Sequence, residues 1–323
     1  MDLKITMLDG RSYTLGEYDV IVKDIIIGAM DIETNEKQIQ GLHGIFDGGT
    51  TYKGRTIRVP FTFIADSLAA YPLYRDLVYD IVMTEEPFYI QEMRRPQELQ
   101  YEFKDTVGGK NALTIDQYGN ESPYDSAQVD NEVSTGKRYL VRLTGCKEID
   151  QKGTKGVGEL EFYTAELPFA ESIGTSLDLE RDGLHYVDNP IWSYGMGLSR
   201  DSSKHQYTFD LTKGTTFDVY NFGNVPINQF NQHFIIKLEF LDDMSSVMKF
   251  GFNQMNIEID GEKAHIKKGD IVTYETSSYF NNGLSILHAT NYAIPELQTG
   301  LNKLMFERTW NVKASIEIKY YYK

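Results

Sequence analysis

The sequence predicts a mainly β protein of two domains, and three observations carry that prediction. Tyr (22) and Phe (17) are abundant while Trp (2) is scarce, and aromatic and β-branched runs recur along the chain, as half-buried sheet surfaces require. Period-two alternation is explicit in places: Ile57, Val59, Phe61 and Phe63 interleave with Arg58, Pro60 and Thr62, which gives a strand with one buried and one polar face. At 323 residues the chain exceeds one ordinary core, and a polar, Gly-containing stretch over 171–203 offers a boundary. The expected domains are therefore 1–170 and 204–323, joined by that linker.

Taken in order, Leu3 to Met7 reads as a strand that turns at Asp9-Gly10, and Val20 to Met30 as an apolar strand covered in part on both faces. Gln38 to Phe63 then forms a long hairpin arm. Its extended runs, Ile39 to Phe46 and Tyr52 to Phe63, flank Asp47, Gly48 and Gly49, which accept positive φ and reverse a chain. The outbound run holds Gly41, Leu42, His43, Gly44, Ile45 and Phe46, a set that its own fold stabilises poorly, so that it reads either as a mobile surface hairpin or as an arm that pairs with something else. One helix follows over about 66–84: Asp66 and Ser67 offer caps, Pro72 suits the first turn, and Leu73, Leu77 and Ile81 with Tyr74, Val78 and Val82 make an apolar stripe. Phe88 to Arg95 and Glu98 to Phe103 read as strands. The pattern then lapses over 104–136, an irregular insertion punctuated by glycines. Tyr139 to Ile149 and Val157 to Thr164 resume it around a polar turn.

The second half is strand after strand, spaced as in a β-sandwich. The expected strands are Tyr207 to Leu211, Thr216 to Phe222, Phe234 to Leu241, Met255 to Asp260, Ala264 to Lys267, Ile271 to Thr276, Lys303 to Glu307 and Val312 to Tyr322. Asp260-Gly261, between two alternating runs, reads as a two-residue hairpin turn. Ala314, Ile316, Ile318 and Tyr320 form a buried face in the last strand.

Composition narrows the function. A formal net charge of −15 speaks against a phosphate-binding surface, since duplex affinity comes largely from Lys and Arg; it suits a protein past which DNA slides. One cysteine, Cys146, allows no intrachain disulfide and no cysteine-built metal cluster, and it reads as a small apolar group. Met1 to Asp9 mixes charge with apolar residues, unlike a signal peptide, and Val20 to Met30 is too short to cross a bilayer. Assembly in a reducing cytoplasm is expected. Asn120-Glu121-Ser122 is then a chance glycosylation triplet.

No catalytic constellation stands out. His43, His185, His205, His233, His265 and His288 are scattered, without metal-ligand spacing, and no cofactor is implied. Gly153, Gly156 and Gly158 lack the Lys-Ser/Thr of a phosphate loop. Glu85-Glu86 and Asp242-Asp243 read as solvated turn acids rather than a glycosidase pair. Trp192 and Tyr194, with Tyr207 and Tyr220 nearby, offer a stacking surface for a saccharide, against the plainer reading as core.

Several stretches resemble siphophage distal tail proteins (Dit), the tail-tip ring components of long-tailed phages. They are DGGTTYKGRTIRVPFTF, YPLYRDLVYDIV, RYLVRLTG and GELEFYTAELPFA in the first half, and YNFGNVP, IKKGDIVTYET and LQTGLNKLMFE in the second. Residues 104–136 match no family element, and the linker 171–203 aligns poorly. The resemblance implies a split-barrel-like β domain with one helix and a protruding hairpin, followed by a galectin-like β-sandwich. It also implies a structural, non-enzymatic virion protein at the phage tail tip or baseplate. Such a protein forms a homohexameric ring around a DNA channel, binds no nucleic acid specifically and touches no membrane. Its partners in that family are the tail tube protein, a tail-associated lysin or spike, and receptor-binding proteins. The arm Gly41 to Gly49 would be the subunit contact. Thirteen acids against five bases between Phe61 and Asp130 suit the channel. The alternatives are a carbohydrate-binding adhesion module using Trp192 and Tyr194, and, third, a wall-degrading hydrolase.

Overall fold

The computed structural model describes residues 1–41, 43–93, 113–115, 121–123, 136–184, 191–193 and 195–323. The expected strand Glu98 to Phe103, most of 104–136, and Leu42, His185 and Tyr194 lie outside them. Within 104–136 the backbone forms one ladder, β7 (Leu113–Ile115) against β8 (Glu121–Pro123).

The first half is one coiled antiparallel sheet. Its strands are β1 (Asp2–Met7), β2 (Ser12–Thr14), β3 (Val20–Val22), β4 (Ile26–Lys37), β5 (Phe46–Ile64), β6 (Phe88–Met93), β9 (Lys137–Lys152) and β10 (Lys155–Thr164), in spatial order β2-β1-β6-β9-β10-β5-β3. The sheet curls until its ends, β2 and β3, stand one short 3-10 turn apart, Leu15–Tyr18, whose Gly16 N–H donates to the Asp2 carboxylate. No ladder joins β2 to β3 among the described residues, so the barrel stays split. Its lumen is filled by Ile57, Val59, Phe61, Phe63, Leu160 and Phe162, all fully buried, as the alternation on β5 predicts. The β9–β10 turn falls at Gly153 (φ 65°). A methyl at Gly156 or Gly158 would strike the ring of Phe63 or Phe61, so those glycines make room for core aromatics.

Helix α1 (Tyr71–Val82) closes this core, with the Phe63 ring 5.3 Å from Tyr71 and stacked 6.0 Å from Tyr74. Ser67 accepts from the Ala70 N–H (3.1 Å), but the N-cap residue is Ala70, without a side-chain cap. The buried stripe is Tyr71, Val78, Ile81 and Val82. Leu73, expected in it, is 70% exposed, because the two tyrosines that flank it fix the helix on Phe63. Val20 to Met30 is not one strand. It breaks after Val22, where Lys23 N–H donates to Pro60 O (2.9 Å), and pairing on β5 resumes at Ile26 and Ile27, opposite Arg58 and Ile57, with more than a third of their surface exposed.

The second half packs two sheets face to face. One is β12 (Thr208–Asp210), β21 (Val312–Ile318), β14 (Phe234–Phe240), β17 (Ile271–Glu275), β18 (Ser278–Asn281) and β19 (Leu284–Ser285), in that spatial order. The other is β13 (Thr216–Asn221), β20 (Gly300–Phe306), β15 (Val247–Phe252) and β16 (Ile257–Asp260). Phe234, Ile236, Leu238 and Phe240 face Phe250, Phe252, Leu304 and Phe306 in one core, the arrangement of a β-sandwich. Two expectations fail here. Asp260-Gly261 is no hairpin turn and Ala264 to Lys267 no strand: Ala264 N–H folds back on Asp260 O (2.9 Å), and Gly261 is glycine because a Cβ would sit 2.5 Å from Met244 O.

The described parts of 171–203 join the second core. Helix α2 (Ser176–Asp182) starts with a capping box between Thr175 and Asp178, and Leu179, Trp192 and Met196 are buried in the sandwich cluster. Strand β11 (Ala170–Ser172) pairs with β9 on one side and with the last strand, β22 (Tyr321–Tyr322), on the other. A ladder therefore runs from the first half to the C-terminus.

Candidate assembly surface

Strand β5 organises the surface as it organises the sheet. Its last nine residues, 56–64, pair with β10 and lie in the body, whereas Phe46 to Lys53 are exposed throughout and pair only with β4. Together β4 and the first part of β5 form a finger that leaves the body near Ile32–Tyr52 and runs about 17 Å to residue 37 at strand rise. The reversal falls at 38–45, where Gly41 (φ 89°) and Gly44 (φ 98°) supply left-handed backbone. It does not fall at Asp47-Gly48-Gly49, as expected. Those residues are a bulge within β5: Thr34 faces Thr50 and Glu36 faces Asp47, leaving Gly48 and Gly49 against Asn35 alone. Gly49 takes φ 90° and donates to Asp47 Oδ1 (2.8 Å), and a Cβ on Gly48 would lie 2.6 Å from Asn35 O. The residue types that make turns also make bulges, so sequence alone did not separate them.

The root of the finger is held firmly. Arg55 is 5% exposed, its guanidinium lies 5.6 Å over the Tyr139 ring, and its N–H donates to Thr164 Oγ1 (3.0 Å). Tyr163 OH donates to Asp31 (2.8 Å), which with burial raises the phenol's pKa. Tyr52 stands edge-on to Phe169 at 6.3 Å. Beyond that root nothing described packs on the finger. Ile32 (64%), Ile45 (62%) and Phe46 (64%) are exposed, and its one ion pair, Lys53–Glu33 at 3.1 Å, is solvated. The outer edge of β4 and the β5 edge over 46–55 have no ladder partner among the described residues. Natural sheets rarely leave such long, partly apolar edges bare unless a partner covers them.

Every described member of the expected contact set (Gly41, His43, Gly44, Ile45, Phe46, Asp47, Gly48 and Gly49) is exposed on the distal half of this finger. Sequence reading missed Ile32 and Tyr52, because Ile26 to Lys37 did not stand out as the finger's other strand. At the far end of β5 an open groove of about 530 Å³ is lined by Val20, Ile21, Ile64 and Tyr74 with Asp19 and Asp66. On α1 and the turn after it, Asp76, Asp80, Glu85 and Glu86 are exposed, with Arg75 engaged by Asp76 at 2.9 Å.

Between the halves, charge is buried and paired. The Glu171 carboxylate, 15% exposed, takes Arg138 from the first half and Lys319 from the second, each at 2.8 Å. Arg138 also lies 3.7 Å over the ring of Tyr89, whose pKa burial pushes up to about 12. Next to it Tyr207 OH donates to Tyr220 O (2.6 Å) and meets Tyr320 OH at 2.8 Å, and Tyr322 OH donates to Met196 O (3.0 Å). Trp192 belongs to this cluster: 1% exposed and 6.0 Å from the Tyr320 ring, it has no face to offer a saccharide. Cys146 is half-buried and its thiol pKa raised by burial. Among the described residues no His/Cys/Asp/Glu cluster suits a metal, and no helix is long and apolar enough to cross a membrane.

This architecture, a split barrel with a finger joined to a sandwich, is also found among phage tail proteins. Residues 8–164 match the model of a family described as the phage tail protein RIFT-related domain. The whole chain is similar in fold to the SPP1 Dit protein (gp 19.1), described as a paradigm of the hub adsorption apparatus of phages that infect Gram-positive bacteria. The TM-score is 0.58 and the identity 12%, over 98% of this chain and 99% of that one. Two structures of the phage P2 baseplate in its activated conformation, with Ca and with Sr, contain chains that match at 11% and 12% identity. Their TM-scores are 0.37 and 0.38, over 99% and 98% of this chain and 97% of each of those. No curated protein sequence matches significantly.

Proposed function

We propose that this chain is a distal tail protein of a siphophage, a ring-forming structural hub at the tail tip or baseplate, with no catalytic step of its own. The observation that carries the reading is the finger: two strand edges and a row of exposed isoleucines and a phenylalanine, built on a firm root and left uncovered by the described residues of their own subunit. Main-chain groups on such an edge are recruited most simply by another copy, and a contact between unlike surfaces closes when its rotation divides a circle. The fold likeness to the SPP1 hub and the tail-protein domain over 8–164 support the same reading. A hexamer surrounding a channel, with tail tube on one side and lysin, spike or receptor-binding proteins on the other, is the assembly this proposes. The exposed acids of α1 and the turn after it, Asp76, Asp80, Glu85 and Glu86, suit a wall past which DNA moves without adhering. The galectin-like sandwich then faces outward as a platform.

The test shortens the finger without disturbing its root. Replacing residues 33–51 by Asn-Gly closes the hairpin directly on the Ile32–Tyr52 pair. The expected product keeps the parent's circular dichroism and melting but runs as a monomer, where the parent forms rings visible by negative-stain microscopy. Rings that persist in the shortened protein would remove the finger from the interface and the proposal with it.

A further inference from the structure

We infer that the groove at the far end of β5 receives the tip of the neighbouring copy's finger, with Ile39, Ile45 and Phe46 seated against Ile21 and Ile64, and Lys37 beside Asp19 and Asp66. The inference rests on the ring reading and specifies its acceptor. Three features of one subunit lead to it. The first is polarity: β5 carries the finger tip at Phe46 and the groove at Ile64, 19 residues and about 60 Å apart at strand rise. A donor and an acceptor at opposite ends of one rigid strand are what a head-to-tail contact needs. The second is surface chemistry. Ile21 (57%) and Ile64 (56%) are exposed side by side at the end of the sheet, where β3 has no neighbour on its outer side among the described residues, and Ile39 (46%), Ile45 and Phe46 are exposed at the tip. Each is an apolar cluster that the described residues of its own subunit leave wet. The third is charge. The tip sequence 37–46 contains Lys37 and His43 and no acid, whereas the groove's lining sets the carboxylates of Asp2, Asp19 and Asp66 against the Met1 amino group and includes neither Lys nor Arg. Elsewhere the finger is mainly acidic, with Asp31, Glu33, Glu36 and Asp47, so only its tip matches the groove in sign. Seating the tip would cover both clusters and allow the outer edge of β3 to pair with the arriving chain, a short strand addition.

The experiment uses the full chain in a Cys146→Ser background carrying Ile21→Cys and Ile45→Cys, treated with a short thiol-reactive cross-linker. The expected result is a ladder of cross-linked oligomers ending at the ring number, absent when Ile45→Cys is paired with Leu284→Cys on the sandwich edge. Independently, Asp19→Lys with Asp66→Lys lowers the ring fraction at least ten-fold, and adding Lys37→Glu restores it. Rings that form normally in the Asp→Lys protein, with no ladder from the 21/45 pair, overturn the acceptor assignment and leave the ring reading standing. A parent chain that stays monomeric at every concentration overturns both.

Discussion

The finger and the C-terminal strand are both peripheral β segments, yet they have opposite fates. The finger has paired backbone along its inner edges only, its side chains are wet, and its outer edges are bare among the described residues. Strand β22 is two residues long, but β11 pairs with it, Tyr321 and Tyr322 are buried, and Tyr321 OH accepts the His233 N–H at 2.6 Å. A ladder by itself does not say whether a segment serves the fold or an interface. What decides is where its side chains go. The junction built around β22 stabilises the subunit and fixes how its halves sit, while the finger contributes little to the subunit and is available to a partner.

Substitutions can break or sharpen that contrast. The largest effect is expected at Tyr320, fully buried among Tyr207, Trp192 and Phe222: Tyr320→Ala should cost about 3–5 kcal/mol in urea unfolding. A loss under about 1 kcal/mol would mean the junction is not where stability resides. Next comes Glu171→Ala, which leaves Arg138 and Lys319 facing each other without the carboxylate. Because these groups are 15–21% exposed, the expected cost is about 2–3 kcal/mol, below the full value for a dry pair. It should shrink at high salt only slightly.

A smaller effect is expected from acid. His205, 5% exposed and bonded through Nε2 to Ser199 O at 2.8 Å, has its pKa lowered, chiefly by burial and against the pull of that bond and of Asp201. The unfolded chain therefore binds the proton more readily than the folded one. Stability from this group is intact above the ordinary histidine pKa and declines as pH falls below it, through the lowered folded value. His205→Gln should flatten that part of the stability profile below about pH 6.5; an unchanged slope would assign the acid sensitivity elsewhere. The smallest effect on stability belongs to the finger. Ile45→Ser with Phe46→Ser should move the unfolding midpoint by no more than about 0.5 kcal/mol, while sedimentation velocity shows the assembled species lost. A destabilised monomer would show that the finger packs on its own body after all.

Much of the fold was legible. Period-two alternation on β5 and over Ala314, Ile316, Ile318 and Tyr320 named the inward-facing residues correctly, because burial on one face of a sheet is a local constraint that every second residue must obey. The helix was legible too, except for Leu73, whose neighbours Tyr71 and Tyr74 took the contact with Phe63. Turn chemistry was less trustworthy. Asp47-Gly48-Gly49 and Asp260-Gly261 carry hairpin residues but form a bulge and an irregular turn. Asn282-Gly283 does close a two-residue hairpin, with φ of 49° and 83° between the paired Asn281 and Leu284. The distinction lies in the partner strand, which no local window contains. Trp192 illustrates the same limit: an aromatic in a polar stretch reads as core or, less plainly, as a stacking platform, and only its packing on Tyr320 decides between them.

By itself the sequence determined the mainly β class, the inward faces, the helix, and the existence of an arm too thin to be core, since each follows from spacing within a few residues. Tertiary structure alone decided which strand pairs with Phe46 to Lys53, that the described parts of 171–203 pack into the sandwich, and that one strand bears a finger at one end and a groove at the other. Those depend on contacts between residues tens to more than a hundred positions apart, and a chain's local pattern specifies which faces must be buried without specifying what buries them.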